Sequence, residues 1–310
     1  MTDINSYIPD FGSIRCAMAR LIIALLLTLG CLAGSSPAHD QKSPPPGLRV
    51  FFASHSLMWY APKPLGELAE AAGIKGHALV GLQSLGASTT VQHWNLSDDK
   101  NEAKKALKTG EVDVFVMSPI SFPDDGVENY VKLGLEHNPD MRFIVQLSWG
   151  GGDIDNQDFP KGAFDNVDKE KTPEQLMALF VRNIKAGEAQ ADALNEKYGK
   201  GKKIVALVPS AHAMVALRTK IANQEWSGLS KQGELFVDAV HPSTPMEVLN
   251  TYMHLAVLYG QSPVGLPMPT MLKNAKREAW DEAFNRSLQE LAWETVRKYP
   301  YSLVTVVNVE

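Results

Sequence analysis

Asp238 and His241 stand three residues apart in the stretch FVDAVHPST (236–244), and a proline follows the histidine directly. A carboxylate and an imidazole on one short loop can act together. The carboxylate selects the imidazole tautomer and stabilises the imidazolium formed when the ring takes a proton. Pro242 restricts the backbone beside them. The plainer reading is a surface loop closed by an Asx-type turn. A nucleophile elsewhere in the chain decides between the two. Ser56 is the candidate, at the centre of SHSLMWY (54–60), directly after the apolar run LRVFFAS (48–54). A serine at the mouth of a first strand is placed to attack, and the amino end of the following helix favours developing negative charge. Capping that helix is the plainer role. Serine needs a neighbouring base, because its hydroxyl is too weakly acidic at neutral pH. Ser56, Asp238 and His241 together supply nucleophile, orienting acid and base.

The elements that must position these residues alternate. LRVFFAS, HALVGLQS, VDVFVMS, RFIVQLSW and KKIVALVP read as five strands. Between them lie helical stretches: PLGELAEAAGI, DDKNEAKKALKTG, GVENYVKLGLEHNP, and a long helix from about 173 to 198. A further helix spans about 211 to 223. Strands alternating with helices build right-handed βαβ units around a parallel sheet. The expected fold is α/β, a flavodoxin-like three-layer sandwich with a parallel five-stranded sheet in the order 2-1-3-4-5. In such sheets ligands bind at the carboxyl ends of the strands. Residues 48–310 are expected to form a single domain after a short linker, 39–47, that contains SPPPG. The ending SLVTVVNVE (302–310) reads as a last short strand, and SLQELAWETVRKYP as a helix packed on the core.

Composition sets the class. The 310 residues are 45% hydrophobic and 21% charged, as in a globular protein, and the net charge of −5 argues against a nucleic-acid partner. Residues 1–38 read as a secretory signal peptide, with Met18 as an alternative start. Arg20 is followed by the apolar LIIALLLTLGCLAG and by the small residues Ser36 and Ala38. That core is too short for a comfortable membrane span, so no stable span is expected after cleavage. The expected location is secreted or periplasmic. Lipid anchoring at Cys31 is the lesser alternative, because Thr28 stands where an aliphatic residue belongs. Both cysteines, Cys16 and Cys31, lie in the leader, so the mature chain has no disulfide, thiolate nucleophile or cysteine-bound zinc.

The motifs resemble those of the SGNH hydrolases, the GDSL esterase/lipase superfamily. SHSL (54–57) stands where that superfamily has Gly-Asp-Ser-Leu, and DAVH (238–241) matches its Asp-x-x-His block. The apolar helix MEVLNTYMHLAVLYGQSP resembles the one that follows this block. SLGAST (84–89) offers Gly86 in place of the second-block glycine, so the resemblance spans roughly residues 48–263. It implies Ser56, Asp238 and His241 as the catalytic triad. It also implies an oxyanion hole from the amides of Ser56 and Gly86. Two departures stand out. Ser54 and His55 replace Gly and Asp, and the third block, Gly-x-Asn-Asp, is absent from VMSPISF (116–122). Ser118 lies there with a hydroxyl that could stand in for the family's asparagine. The implied activity is ester hydrolysis through an acyl-serine. The substrate is a small-molecule or carbohydrate ester, such as an O-acetylated polysaccharide. The alternative is a catalytically weak relative that binds a ligand or carbohydrate in the same crevice. A periplasmic solute-binding protein would show two similar lobes, and one is visible.

Two further residues face the expected site. His55 adjoins the nucleophile and Trp149 follows strand 4, so both are candidates to line substrate. The glycines after Trp149 lack the Gly-Lys-Ser/Thr of a phosphate loop. DIDNQD (153–158) lacks the glycine and glutamate of a calcium loop. No histidine pair has zincin spacing. Neither a metal nor a cofactor is expected.

Overall fold

Five short apolar runs assemble into one all-parallel sheet in the order β2-β1-β3-β4-β5. The strands are β1 (Arg49–Ser54), β2 (Ala78–Ser84), β3 (Val114–Met117), β4 (Arg142–Gln146) and β5 (Val205–Val208). This is the expected topology. The structure is a computed structural model and describes residues 43–149, 173–238 and 240–304. The leader with its cysteines, the first residues of the linker and the stretches GGGD and DIDNQD lie outside the described residues. So does the end of the chain from 305. Of the expected final strand, Ser302 instead closes a 3₁₀ turn, Pro300–Ser302, and Leu303 and Val304 join no strand.

β3 and β5 are buried along their whole length, and β1 and β4 are buried apart from their first residues. That is why they read as unbroken apolar runs and not as alternating ones. β2 is an edge strand and keeps Leu79, Val80 and Leu82 exposed. The helices are α1 (Pro62–Ala71), α2 (Thr90–Trp94), α3 (Glu102–Lys108), α4 (Asp125–His137), α5 (Pro173–Tyr198), α6 (Ser210–Ala222), α7 (Thr244–Tyr259), α8 (Thr270–Asn274) and α9 (Glu282–Lys298). α1, α6, α7 and α9 pack as one group, α2, α3 and α4 form another, and α5 packs against both α4 and α6. α7 is buried on nearly all sides, as its apolar composition requires. Among the described residues, no helix is long and apolar enough to cross a membrane.

The strand order places β1, which leads into the candidate nucleophile Ser56, between β2 and β3. β1 pairs with β2 and β3, and the register sets Ser54 against Ser84 and Ala53 against Met117. The loops leaving β1, β2 and β3 therefore emerge side by side at the carboxyl edge. This is the edge at which doubly wound sheets bind ligands.

Candidate active site

β1 ends at Ser54, and the chain turns at once. The carbonyl of His55 accepts the amides of Met58 (2.9 Å) and Trp59 (3.0 Å), which closes a tight turn around Ser56 before α1 begins. Ser56 is partly exposed at the apex, whereas Ser54 and His55 behind it are buried.

The second loop comes from the far end of the chain. Residues 236 and 242 form an antiparallel bridge, and the Val237 amide donates to the His241 carbonyl at 2.9 Å. Inside this small loop Asp238 does two things. Its Oδ1 accepts the amides of Val240 (2.9 Å) and His241 (2.8 Å), which is an Asx turn. Its Oδ2 lies 2.6 Å from His241 Nδ1. The two readings of this motif, a turn and an acid–base pair, are thus both true of one carboxylate. His241 Nε2 in turn lies 2.8 Å from the Ser56 hydroxyl. With Nδ1–H donated to the carboxylate, Nε2 presents its lone pair to the serine proton. Burial pushes the Asp238 carboxyl up, but the two amides and the imidazole outweigh it and hold it below the usual carboxylate range. Asp238 is therefore ionised wherever the imidazole needs it.

Trp149 supports this loop from beneath. Its indole N–H donates to the Val240 carbonyl at 2.9 Å, and its ring is buried. The expectation that it lines substrate is corrected by that burial: Trp149 ties the end of β4 to the loop that carries Asp238 and His241.

His55 is also buried and does not line substrate. Its Nδ1 faces the Leu57 amide at 3.3 Å, and its Nε2 faces the Ser118 hydroxyl at 3.1 Å. An acceptor at Nδ1 requires the proton at Nε2, so His55 donates to Ser118. Burial, with a smaller contribution from the nearby His241, lowers its pKa to about 4 despite an opposing interaction with the Ser118 backbone. It therefore stays neutral at ordinary pH and this pattern is preserved. Ser118 also lies 3.0 Å from Ser148 Oγ and accepts weakly from Gln146 Nε2 at 3.4 Å. Because His55 donates to it, the Ser118 hydroxyl has its own proton to turn towards Ser148. The Ser118 hydroxyl is thus buried and engaged behind the nucleophile turn. This corrects its expected place in the oxyanion hole. Ser118→Ala should therefore leave kcat on an aryl acetate within a few-fold of wild type. It should also lower stability by about 1–3 kcal/mol, because the Nε2–H of His55 loses its acceptor. Kinetics and thermal unfolding of the one variant check both, and a loss of kcat of about tenfold or more at constant KM would return Ser118 to the oxyanion.

The network continues inward through residues that sequence reading missed. Gln146 Nε2 donates to Ser148 (2.7 Å) and to the Leu57 carbonyl (3.2 Å). Gln146 Oε1 accepts from Asn250 (2.7 Å) and faces His254 Nε2 at 2.9 Å. Asn250 also donates to the Tyr60 hydroxyl at 2.8 Å and accepts from Ser210. Both bonds to Gln146 and Tyr60 lead back to the nucleophile turn. The signal for them was present: a glutamine inside the apolar run FIVQL, and Asn250 and His254 four apart on an otherwise apolar helix. Buried polar side chains in such settings need partners, and these are one another's.

The loop leaving β2 runs beside the turn that carries Ser56. Leu85 donates to the Ser54 carbonyl at 3.0 Å, so the pairing of β1 with β2 continues past the strand ends. Ser56 and Gly86 each stand two residues beyond the Ser54–Ser84 pair. Neither backbone amide donates to a described protein atom. Nothing lies within 4 Å of the position a Cβ would take on Gly86. The loop is held from behind. Ser88 Oγ donates to the Leu85 carbonyl (2.8 Å) and accepts from His93 Nε2 (2.8 Å). Asp124 accepts the amides of Thr90 (2.6 Å) and Val91 (2.9 Å), and caps α4 through Gly126 (2.9 Å). A Cβ on Gly126 would lie 2.2 Å from the Thr90 carbonyl carbon, so only glycine lets the two helix starts meet.

No family model matches the chain, and no curated protein does. Among solved structures, WcbI, described as a novel polysaccharide biosynthesis enzyme, aligns with a TM-score of 0.31 at 15% identity. That alignment covers 83% of this chain and 92% of the other. A similarity of this depth carries no functional argument.

The site therefore rests on its own geometry. Among the described residues no group of three or more histidine, cysteine or acidic side chains is placed to hold a metal ion.

Proposed function

We propose that the chain is a serine esterase of the SGNH type. One observation carries the reading. Three residues from loops 182 positions apart in the sequence form a continuous Ser56–His241–Asp238 hydrogen-bond line, with spacings of 2.8 and 2.6 Å. In the proposed reaction Ser56 Oγ attacks the ester carbonyl while its proton passes to His241 Nε2. The amides of Ser56 and Gly86 receive the oxyanion. The intermediate collapses as the carbon–oxygen bond to the alcohol breaks, and the alcohol leaves with the proton from His241. Water then gives a proton to His241 and attacks the acyl-serine, which releases the acid and restores Ser56. The leader-like residues 1–38 support an exported protein that meets its substrate outside the cytoplasm.

A second reading, a binding protein with little turnover, is favoured by one feature. The Ser118 hydroxyl, the candidate substitute for the family's third-block asparagine, is engaged with His55 and Ser148. Turnover of an activated aryl acetate by wild type and by Ser56→Ala separates the two. The esterase reading expects hydrolysis well above background that the substitution abolishes. Equal rates for both proteins would favour binding.

A further inference from the structure

The stretch that leaves β4 touches both loops of the proposed triad. Gln146, Leu147, Ser148 and Trp149 are consecutive and buried. Their backbone is fixed to the neighbouring strand and helix. The Leu147 amide donates to the Val208 carbonyl at 3.0 Å, and the Leu147 carbonyl accepts the Ala211 amide at 3.0 Å. Side chains on this stretch therefore start from an anchored base.

One arm reaches the nucleophile turn. Gln146 Nε2 donates to the Leu57 carbonyl at 3.2 Å. The Leu57 amide faces His55 Nδ1 at 3.3 Å, and His55 is joined to Ser148 through Ser118, at 3.1 and 3.0 Å. Both backbone groups of the residue after Ser56 are thus held, one by Gln146 directly and the other through Ser148. The Gln146 side chain is itself oriented from behind. Its Oε1 takes the Asn250 amide at 2.7 Å and the Nε2–H of His254 at 2.9 Å, which leaves its N–H groups to face the turn.

The other arm reaches the loop of Asp238 and His241. The Trp149 indole N–H donates to the Val240 carbonyl at 2.9 Å. That carbonyl belongs to the peptide that joins Val240 to His241, and the N–H of the same peptide donates to Asp238 at 2.8 Å. The peptide that carries the imidazole is gripped on both edges, by Asp238 from within the loop and by Trp149 from β4. Gln146 and Trp149 stand three positions apart, whereas Ser56 and His241 stand 185 apart.

Resting on the esterase reading, we infer that the end of β4 is a common seat for the two halves of the triad, with Gln146 and Trp149 as positioning residues that together set the 2.8 Å contact between Ser56 and His241. Neither touches the reacting atoms. Misplacing a reacting group by about 1 Å can cost on the order of 10²-fold in rate. Releasing either loop from the seat lengthens the same contact. Releasing the second then adds little, so the two residues act non-additively.

The test uses the full chain with three variants. Trp149→Phe keeps a ring and loses the N–H, Gln146→Met keeps an unbranched chain and loses the amide, and the third carries both. The rate of labelling by a fluorophosphonate, kcat and KM on 4-nitrophenyl acetate, and thermal unfolding are measured for each. Turnover is expressed per site titrated by the probe at completion, which removes any fraction that fails to fold. Each single variant is expected to label and turn over about tenfold or more slowly, with KM within about twofold of wild type. The double variant should fall no more than about threefold below the slower single. If Gln146→Met does not fold, Ser148→Ala takes its place on that arm with the same expectation. Single variants that melt earlier but keep kcat per site within about twofold would overturn the inference, because that is the mark of a structural role alone. Losses that multiply in the double variant would overturn it too, because the two loops would then be placed independently. If wild type takes no probe and hydrolyses no ester, the esterase reading fails and takes the inference with it.

Discussion

Asp238→Asn is expected to lower kcat on an aryl ester by about 10⁴-fold while the protein stays folded. The asparagine keeps a carbonyl oxygen, so the Asx turn to the amides of Val240 and His241 survives. Its amide group, however, meets His241 Nδ1 as a donor, where the carboxylate accepted at 2.6 Å. The ring must then accept at Nδ1 and carry its proton at Nε2, facing Ser56. A protonated Nε2 cannot receive the serine proton. The imidazolium of the transition state also loses the negative charge beside it. Steady-state kinetics together with a thermal melt test this. Turnover within a few-fold of wild type, with an unchanged melt, would remove Asp238 from the mechanism.

Gly86→Pro carries the second large effect, a fall in kcat of about 10²–10³-fold, as for loss of one oxyanion donor. Proline has no N–H, so the substitution removes the proposed donor, although its ring also fixes φ and restricts Leu85 before it. Gly86→Ala is the control. The alanine Cβ would find nothing within 4 Å, so the amide stays and the rate should stay with it. The pair separates a role for the amide from a role for glycine as such. If proline costs no more than alanine does, Gly86 lies outside the oxyanion hole.

The fold was legible because strands buried on both faces announce themselves as apolar runs, and the helices between them dictate parallel pairing. The ends were less so. SLVTVVNVE has the β-branched content of a strand, but the chain turns at Pro300–Ser302 after α9. Ser56, Asp238 and His241 were legible as neighbours, since short motifs placed them on loops that the structure brings within hydrogen-bond distance. Trp149 and Ser118 were correctly placed at the carboxyl edge of the sheet but assigned the wrong direction. Whether a side chain at a strand end faces the crevice or the interior depends on its partners: the Val240 carbonyl for Trp149, His55 and Ser148 for Ser118. Those partners are distant in sequence, and no local pattern encodes them. The same holds for Gln146, Asn250 and His254, whose polarity was visible but whose mutual contacts were not.

The departures from the SGNH motif now have a physical content. The histidine in place of aspartate before the nucleophile is neutral, buried and tied at both ring nitrogens. It takes up the Leu57 amide and leaves the amide of Ser56 without a described acceptor.

The central claim is that Ser56 is a nucleophile activated by His241. Its most direct test is reaction of the full chain with a fluorophosphonate, followed by intact mass and peptide mapping. One adduct per chain is expected, on the peptide holding Ser56, and it should be lost in His241→Ala. No adduct on wild type, or an adduct on another serine, would contradict it.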